Sequence, residues 1–522
     1  MLANVMSGAV LGVEAYTVRV EVDLANGLPS MAVVGLPHGA VREGRERVTA
    51  ALHNSGFALP PKRITVNLAP ADVRKAGSAF DLPIALGLLA ASGTIPPEHL
   101  HRSCFAGELG LDGELRPVRG VLPLALHCRD EGISTLVVPA GNASEAAVVE
   151  GVDVRAAERL SDVAAPLCGG PELPRVEASV EADFAPTPGP DLEDVRGQEH
   201  VKRALEVAAA GSHNALLVGP PGSGKSMLAR RIPGILPPLT LEESLEVTKI
   251  HSVAGRLRPG DSLVRVRPFR SPHHTVSDAG LVGGGGVPRP GEVSLAHHGV
   301  LFLDETPEFR RTALEVLRQP LEDGAVQIGR ARFAVRYPAR FMLVAAMNPC
   351  PCGHYADGSA RCICHPGQVE RYRSRISGPL LDRIDLHIEV PAVPAEDLQR
   401  RGAGEPSERV KERVVAAREV QLRRFRDHPG VFANAHMGPR EVRRYCLIDA
   451  GAESLMRTAI RRLGLSARAY HRVLKLARTI ADLAGVESIA ATHVAEAVQY
   501  RSLHPTFCRT AVGVGAGIGG YA

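Results

Sequence analysis

Eight consecutive residues, Gly219-Pro220-Pro221-Gly222-Ser223-Gly224-Lys225-Ser226, combine backbone freedom with one cation and one hydroxyl. Glycines let N–H groups turn inward around phosphate oxygens, a lysine reaches the β- and γ-phosphates, and a serine hydroxyl holds Mg²⁺. The apolar run Ala215-Leu216-Leu217-Val218 precedes the loop, and a helix-like stretch from Met227 to Ile232 follows it. That is the strand-loop-helix setting a phosphate cradle needs, which a chance glycine-rich turn lacks. ATP and Mg²⁺ are the expected ligands.

A second apolar run, Val300-Leu301-Phe302-Leu303, ends in the carboxylates Asp304 and Glu305. Such a pair can place one acid on the metal and the next beside the attacking water, so Asp304 is expected at Mg²⁺ and Glu305 as general base. A third run, Phe341 to Met347, ends in Asn348, a candidate to orient that water. Further on, Ser377-Gly-Pro-Leu-Leu-Asp-Arg383-Ile-Asp385 puts an arginine at the end of an apolar segment. In a ring of identical subunits Arg383 can insert into the neighbour's nucleotide site; in a monomer it is a salt-bridge residue for Asp382 or Asp385. Arg468, at the start of a C-terminal helix, is placed to reach the γ-phosphate of its own site.

Between these motifs lie four thiols in a short window, Cys350, Cys352, Cys362 and Cys364, with His354 and His365 alongside. Two readings stand: a tetrahedral structural zinc, or reduced, metal-free cysteines, because the C-x-C pairs are tighter than the usual C-x₂-C. Cys104, Cys128, Cys168, Cys446 and Cys508 are scattered and read as packed or idle. Nine cysteines in a cytosolic chain are not expected to pair as disulfides.

The elements that must position these groups belong to a chain of 522 residues, long enough for about two to four domains. Its 45% hydrophobic and 23% charged content is that of a globular protein. No secretory-type leader and no run approaching a membrane span is apparent, so a cytoplasmic protein is expected. A net charge of +4 gives no bulk argument for nucleic acid, which must come from local arginine clusters. Residues 1–168 alternate strand and helix patterns, such as Tyr16 to Asp23 and Arg42 to Asn54. A Pro-, Ala- and acid-rich stretch at 169–190 reads as a linker, 191–391 as the nucleotide-binding core with its Cys-rich loop at 350–365, and 392–508 as a helical linker and lid. The Gly-rich tail 509–522 offers little to pack and reads as disordered.

In order, GPPGSGKS, LFLDE, AAMNPCPCG, SGPLLDRID and LSARAYHRVLKLARTIADL resemble the Mg-chelatase-like AAA+ proteins of the ComM/YifB type. The segment Arg267-Pro-Phe-Arg-Ser-Pro-His-His274 and the glycine run before Pro288 are similar too. The resemblance covers essentially the whole chain. It implies an α/β fold: an AAA+ P-loop core with a helical lid, preceded by a Lon-protease-like α+β domain. It also implies a hexameric ATPase that moves on DNA, promoting branch migration in homologous recombination during natural transformation, with recombination proteins as further partners. The same likeness suggests a DNA-contacting hairpin. Arg330, Arg332 and Arg336 share one parity and are expected to face a pore; the alternative is a solvated edge strand.

Lys75 to Leu86 and Gly107 to Gly120 look like the proteolytic domain of Lon. A Ser–Lys protease needs its two partners within reach. Here the nucleophile position falls on Ala79, with Ser78 one residue off, and the lysine position falls near Leu122; no lysine lies between Lys75 and Lys202. A non-proteolytic domain is expected. A magnesium-chelatase-like chaperone that remodels a protein partner is the alternative to the DNA motor.

Overall fold

The computed structural model describes the chain except residues 1, 38, 74, 76, 178–188, 287, 331–332, 356–360, 394–403, 429 and 502–522. The expected tail 509–522 therefore lies outside the described residues.

The amino-terminal half is built on strands β1 (Leu2–Leu11), β2 (Glu14–Ala25), β3 (Ser30–Val34), β4 (Arg63–Ala69), β5 (Ser103–Phe105), β8 (Thr135–Pro139) and β9 (Asp153–Ala157), with a short hairpin of β6 (Glu108–Leu109) and β7 (Leu115–Arg116). The seven strands form one sheet in the order β3-β4-β2-β1-β5-β8-β9, antiparallel at β4-β2-β1 and parallel elsewhere. Val18, Val20, Val22 and Leu24 of β2 alternate inward, the period-2 pattern of a strand covered on one face. Helix Asp81–Ala91 (DLPIALGLLAA) is apolar all round and buried along its whole length against them.

The central sheet contains β10 (Ala215–Val218), β11 (Phe269–Arg270), β14 (Val300–Leu303), β17 (Met342–Met347) and β18 (Leu386–Glu389), in the order β11-β14-β17-β10-β18. All five run parallel. Their continuous apolar runs suit strands buried on both faces. Leu217, Val300, Phe302 and Val344 join one cluster with the carboxy-terminal helices, whereas Leu216, Val218, Leu301 and Leu303 join another. Two small ribbons stand apart, β12 (Gly283–Gly284) with β13 (Arg289–Pro290) and β15 (Ala325–Arg330) with β16 (Phe333–Pro338).

The carboxy-terminal helices are Ser407–Arg424, Pro439–Tyr445, Ala450–Leu463, Ala467–Leu483 and Ala491–Gln499. The first is heavily charged, yet Val410, Val414, Ala417, Arg418 and Gln421 recur at helical spacing and are buried. Asp449 and Ser466 cap their helices by accepting the N–H groups of Ala452 and Ala469 at 2.7 and 3.2 Å. Among the described residues, no helix is long and apolar enough to cross a membrane.

The expected linker begins docked on the amino-terminal sheet. Val176 donates its N–H to Val154 O at 2.9 Å, and Arg155 Nη1 donates to Leu173 O at 2.6 Å. That sheet in turn meets the core through the turn between β1 and β2. Val13 is buried in the cluster that holds Val326, Ile328 and Val335 of the second ribbon. Gly12 sits there with φ +72°, where an added Cβ would come 2.5 Å from Val335 Cγ1. Gly12→Ala should therefore cost about 1–2 kcal/mol from the left-handed backbone alone, with a further loss from the clash. Denaturant unfolding should show a lower midpoint, and an unchanged midpoint would show that the turn tolerates a side chain.

Candidate functional site

The loop Gly219–Ser226 leaves the carboxyl end of β10, Asp304 and Glu305 leave that of β14, and Asn348 leaves that of β17. Because β17 lies between the other two and all are parallel, the three motifs converge on one sheet edge. Ligands of open parallel sheets bind at such edges. Gly219 lies so close to β18 that a Cβ would meet Val390 O at 2.0 Å, and Gly222 and Gly224 carry φ of +77° and +87°. The loop's shape is therefore available only to glycine at these positions.

Lys225 is 9% exposed, and its Nζ donates to Gly219 O at 2.8 Å, Pro220 O at 2.9 Å and Asn348 Oδ1 at 3.2 Å. Burial pulls its pKa below the ordinary value, while the Asp304 and Glu305 charges oppose that. Ser226 Oγ donates to Asp304 Oδ2 at 2.6 Å, and the two make a pair of hard oxygen donors suited to Mg²⁺. Glu305 adopts φ +48°, a left-handed conformation unusual for a non-glycine residue. Its N–H donates to Asp304 Oδ1 at 2.9 Å and its side chain is exposed. Burial pushes the phenol of the neighbouring Tyr372 up to about 12, and the Asn348 N–H opposes that. The donor set fits a magnesium nucleoside triphosphate: a buried cation, two metal-type oxygens, an exposed carboxylate and an amide at one edge.

Other contacts at the edge had no role assigned from the motifs. His274 Nδ1 lies 4.0 Å from Glu305 Oε2, and Arg270 forms a bidentate pair with Glu292 at 2.6 and 2.8 Å. Both residues lie in the Arg267–His274 segment, whose two arginines and two histidines were the available signal.

Arg383 stands elsewhere. Its carbonyl accepts from Asn214 Nδ2 at 3.0 Å, and Asn214 precedes β10, at the end opposite the phosphate loop. Four strand residues put the two ends about 13 Å apart. The guanidinium pairs with Glu322 and with Pro379 O at 2.8 Å, so neither Asp382 nor Asp385 is its salt-bridge partner. The exposed Arg468, expected at its own phosphate loop, lies near Glu322 instead. The Arg383 hydrogen bond and the charges of Arg383, Arg468 and Arg318 hold the Glu322 carboxyl below its ordinary value.

The four thiols come together. Sγ of Cys350 lies 3.3 Å from that of Cys352 and 3.9 Å from that of Cys362, Cys352 and Cys362 are 3.7 Å apart, and all four sulfurs fall within 4.8 Å of one another. Zn–S bonds of about 2.3 Å in a tetrahedron require sulfurs about 3.8 Å apart, so the group fits zinc. The N–H groups of His354 and Ile363 point at Cys352 Sγ. The loop also touches the nucleotide site, because a Cβ on Gly353 would come 2.4 Å from Pro221 Cδ.

A second convergent group, Glu246, His297 and His298, has a different character. His297 Nδ1 accepts the Arg340 N–H at 2.9 Å, so the neutral ring, pulled down to about 4 by burial, carries its proton on Nε2 and donates to Glu246 at 2.9 Å. That nitrogen has no lone pair for a metal.

The arginine hairpin departs from expectation. Register pairs Gln327 with Arg336 and Arg330 with Phe333. Gln327 and Arg336 are exposed, while Val326, Ile328, Val335 and Tyr337 are buried. Paired residues share a face, so an even position on β15 matches an odd one on β16. Arg330 and Arg336 therefore fall on opposite faces, and the single parity expected for the three arginines does not survive the turn. Arg332, and the side chain of Arg330, lie outside the described residues.

In the amino-terminal domain, Ser78 Oγ donates to the Glu108 carboxylate and Leu122 is fully buried. Ser78, Ala79 and Glu108 line a cavity of about 590 Å³ that Val253, Pro288 and Arg289 of the core help to close. Lys75 is buried, with no partner for Nζ among the described residues.

Lys225→Ala should abolish nucleotide binding, with affinity falling at least about a hundredfold, because the phosphate charge loses its buried cation. Glu305→Gln should keep near-normal affinity and lose turnover. Titration with a fluorescent nucleotide beside a phosphate-release assay separates the two; equal loss of affinity would refute the division of roles.

Profiles of three families match the chain: "Magnesium chelatase, subunit ChlI" over residues 191–398, "Subunit ChlI of Mg-chelatase" over residues 20–142, and "Magnesium chelatase, subunit ChlI C-terminal" over residues 404–501. The competence protein ComM of Haemophilus influenzae is 47% identical over 506 residues, 96% of this chain and 98% of its own length. The uncharacterized protein YifB of Escherichia coli is 45% identical over 503 residues, 96% of this chain and 97% of its own. The magnesium-chelatase 67 kDa subunit of Chlorobaculum tepidum is 31% identical over 212 residues, 40% of this chain and 27% of its own. With its glycine-shaped phosphate loop, acidic pair and Asn348 on one parallel sheet edge, and relatives alike along nearly their full length, the chain belongs to the ComM/YifB family of Mg-chelatase-like AAA+ ATPases.

Proposed function

We propose that this chain is a cytoplasmic ATP-driven DNA motor that works as a homo-hexameric ring, moving branched DNA during homologous recombination in natural transformation. The observation that carries the reading is the separation of Arg383 from Lys225 across the length of β10. A finger tied to the base of the sheet serves a phosphate site only on another copy, which is the logic of a ring. A relative named as a competence protein supports the DNA-linked role. Bound ATP supplies the terminal phosphoryl as the group transferred to water. Lys225 then neutralises phosphate charge, Ser226 and Asp304 hold Mg²⁺, Glu305 takes the proton from the attacking water and Asn348 orients it. Arg336, exposed on the ribbon, meets the phosphate backbone.

Forked and four-way-junction DNA should stimulate the purified protein's ATPase severalfold and be unwound. Arg336→Ala should keep basal hydrolysis, lower DNA affinity for all sequences alike and make its salt dependence shallower. Hydrolysis unmoved by any DNA would count against the motor and for a chaperone that remodels a protein.

In the same reading, Cys350, Cys352, Cys362 and Cys364 hold a structural zinc. Protein purified without chelators should contain about one zinc per chain and lose thermal stability when the metal is stripped. Metal analysis that finds none removes the site.

A further inference from the structure

Residues 383–385 lead from helix Gly378–Leu381 into β18, and they are held from two sides. On the core side, Asn214 donates through Nδ2 to Arg383 O at 3.0 Å and through its N–H to Asp385 Oδ2 at 3.1 Å. Its own carbonyl accepts the N–H groups of Asp385 and Leu386 at 2.9 and 3.0 Å. On the lid side stands Arg472 of helix Ala467–Leu483. Its Nη1 donates to the same Arg383 O at 3.2 Å and to Asp385 Oδ1.

Asp385 is 3% exposed. Burial pushes its carboxyl up, but Arg472 and His213 overcome that and keep it charged. His213 Nδ1 lies 3.4 Å from Asp385 Oδ2, and its Nε2 meets Thr479 Oγ1 of the same lid helix at 2.8 Å. The lid thus reaches this segment through Arg472, through Thr479 by way of His213, and through Arg501, whose Nη1 donates to Ile384 O; among the described lid residues only Arg472 touches the main chain of Arg383. Removing one partner of such a buried pair leaves the other charge uncompensated, so the contact is held firmly.

We infer that Arg472 is a positioning residue for Arg383. By sharing the Arg383 carbonyl with Asn214, it fixes the stretch of main chain from which the guanidinium is offered to the next subunit. The helix that carries Arg468 is thereby coupled to the finger, and a shift of the lid moves Arg383 with it. This rests on the reading of Arg383 as a finger acting in trans. Small misplacements of a catalytic cation cost large factors in rate while leaving substrate binding intact.

The test is a double-mutant cycle on the full-length protein at saturating ATP. Arg472→Met should lower turnover roughly ten- to hundredfold with nucleotide affinity unchanged. Arg472→Lys should recover part of the loss, since one ammonium can still reach Asp385. Thr479→Val breaks a second lid contact, the one through His213, without touching Arg383 and should turn over near the wild-type rate. In an Arg383→Ala background, Arg472→Met should cause no further loss. An equal loss in that background, or an equal loss from Thr479→Val, would show that Arg472 merely docks the lid and would overturn the inference. If Arg383→Ala is slow while Arg472→Met is normal, the finger stands and the positioning role falls; if Arg383→Ala hydrolyses normally, the finger reading itself fails and the inference with it.

Discussion

The parallel pairing of β14, β17 and β10 is the constraint on which the site depends. Register sets Val218 beside Met347, so Gly219 and Asn348 emerge at the same level, and Leu303 beside Ala345, so the carboxylates emerge two residues earlier on the adjoining strand. Thr306 Oγ1 donates to Leu303 O and Ala346 O at 3.0 and 3.1 Å, tying two strand ends together just past the carboxylates. A register slip would turn every side chain on a strand to the wrong face and bury the wrong groups. Burial on both faces makes that slip costly, which is why four residues as plain as Ala215-Leu216-Leu217-Val218 can aim the phosphate loop.

The same constraint explains what sequence could reveal. The phosphate loop, the acidic pair and Asn348 are local punctuation at the ends of apolar runs, so each was legible as a candidate before any contact was known, and the sheet brings the three to one edge. The arginine hairpin was legible as a hairpin, but counting parity straight through a reversing turn put Arg330 with Arg336 when pairing sets them apart. Arg468 was legible as a helix-start arginine, whereas its place near Glu322 depends on how the lid docks, a long-range fact that no local pattern encodes. The docking of Leu173 and Val176 on β9 was hidden by a composition typical of solvated linkers.

The two convergent groups of potential ligands show why donor count alone misleads. The cysteines offer sulfurs at tetrahedral spacing, and Cys352 also accepts backbone N–H groups that favour a thiolate. Glu246, His297 and His298 approach one another as closely, yet the Arg340 N–H claims His297 Nδ1 and fixes the ring as a donor. Its partner is a carboxylate, and the cluster fastens helix Leu241–Ala254 to the segment entering β14.

The seating of the β1–β2 turn in the hairpin's apolar cluster also limits how the chain can vary in length. Gly12 and Val13 fill a space bounded by Val335 and its neighbours. An insertion at that turn would thrust residues into a closed cluster, whereas surface loops accept added residues at little cost. Variation in the number of residues between β1 and β2 is thus barred by a partner more than three hundred positions away in the chain.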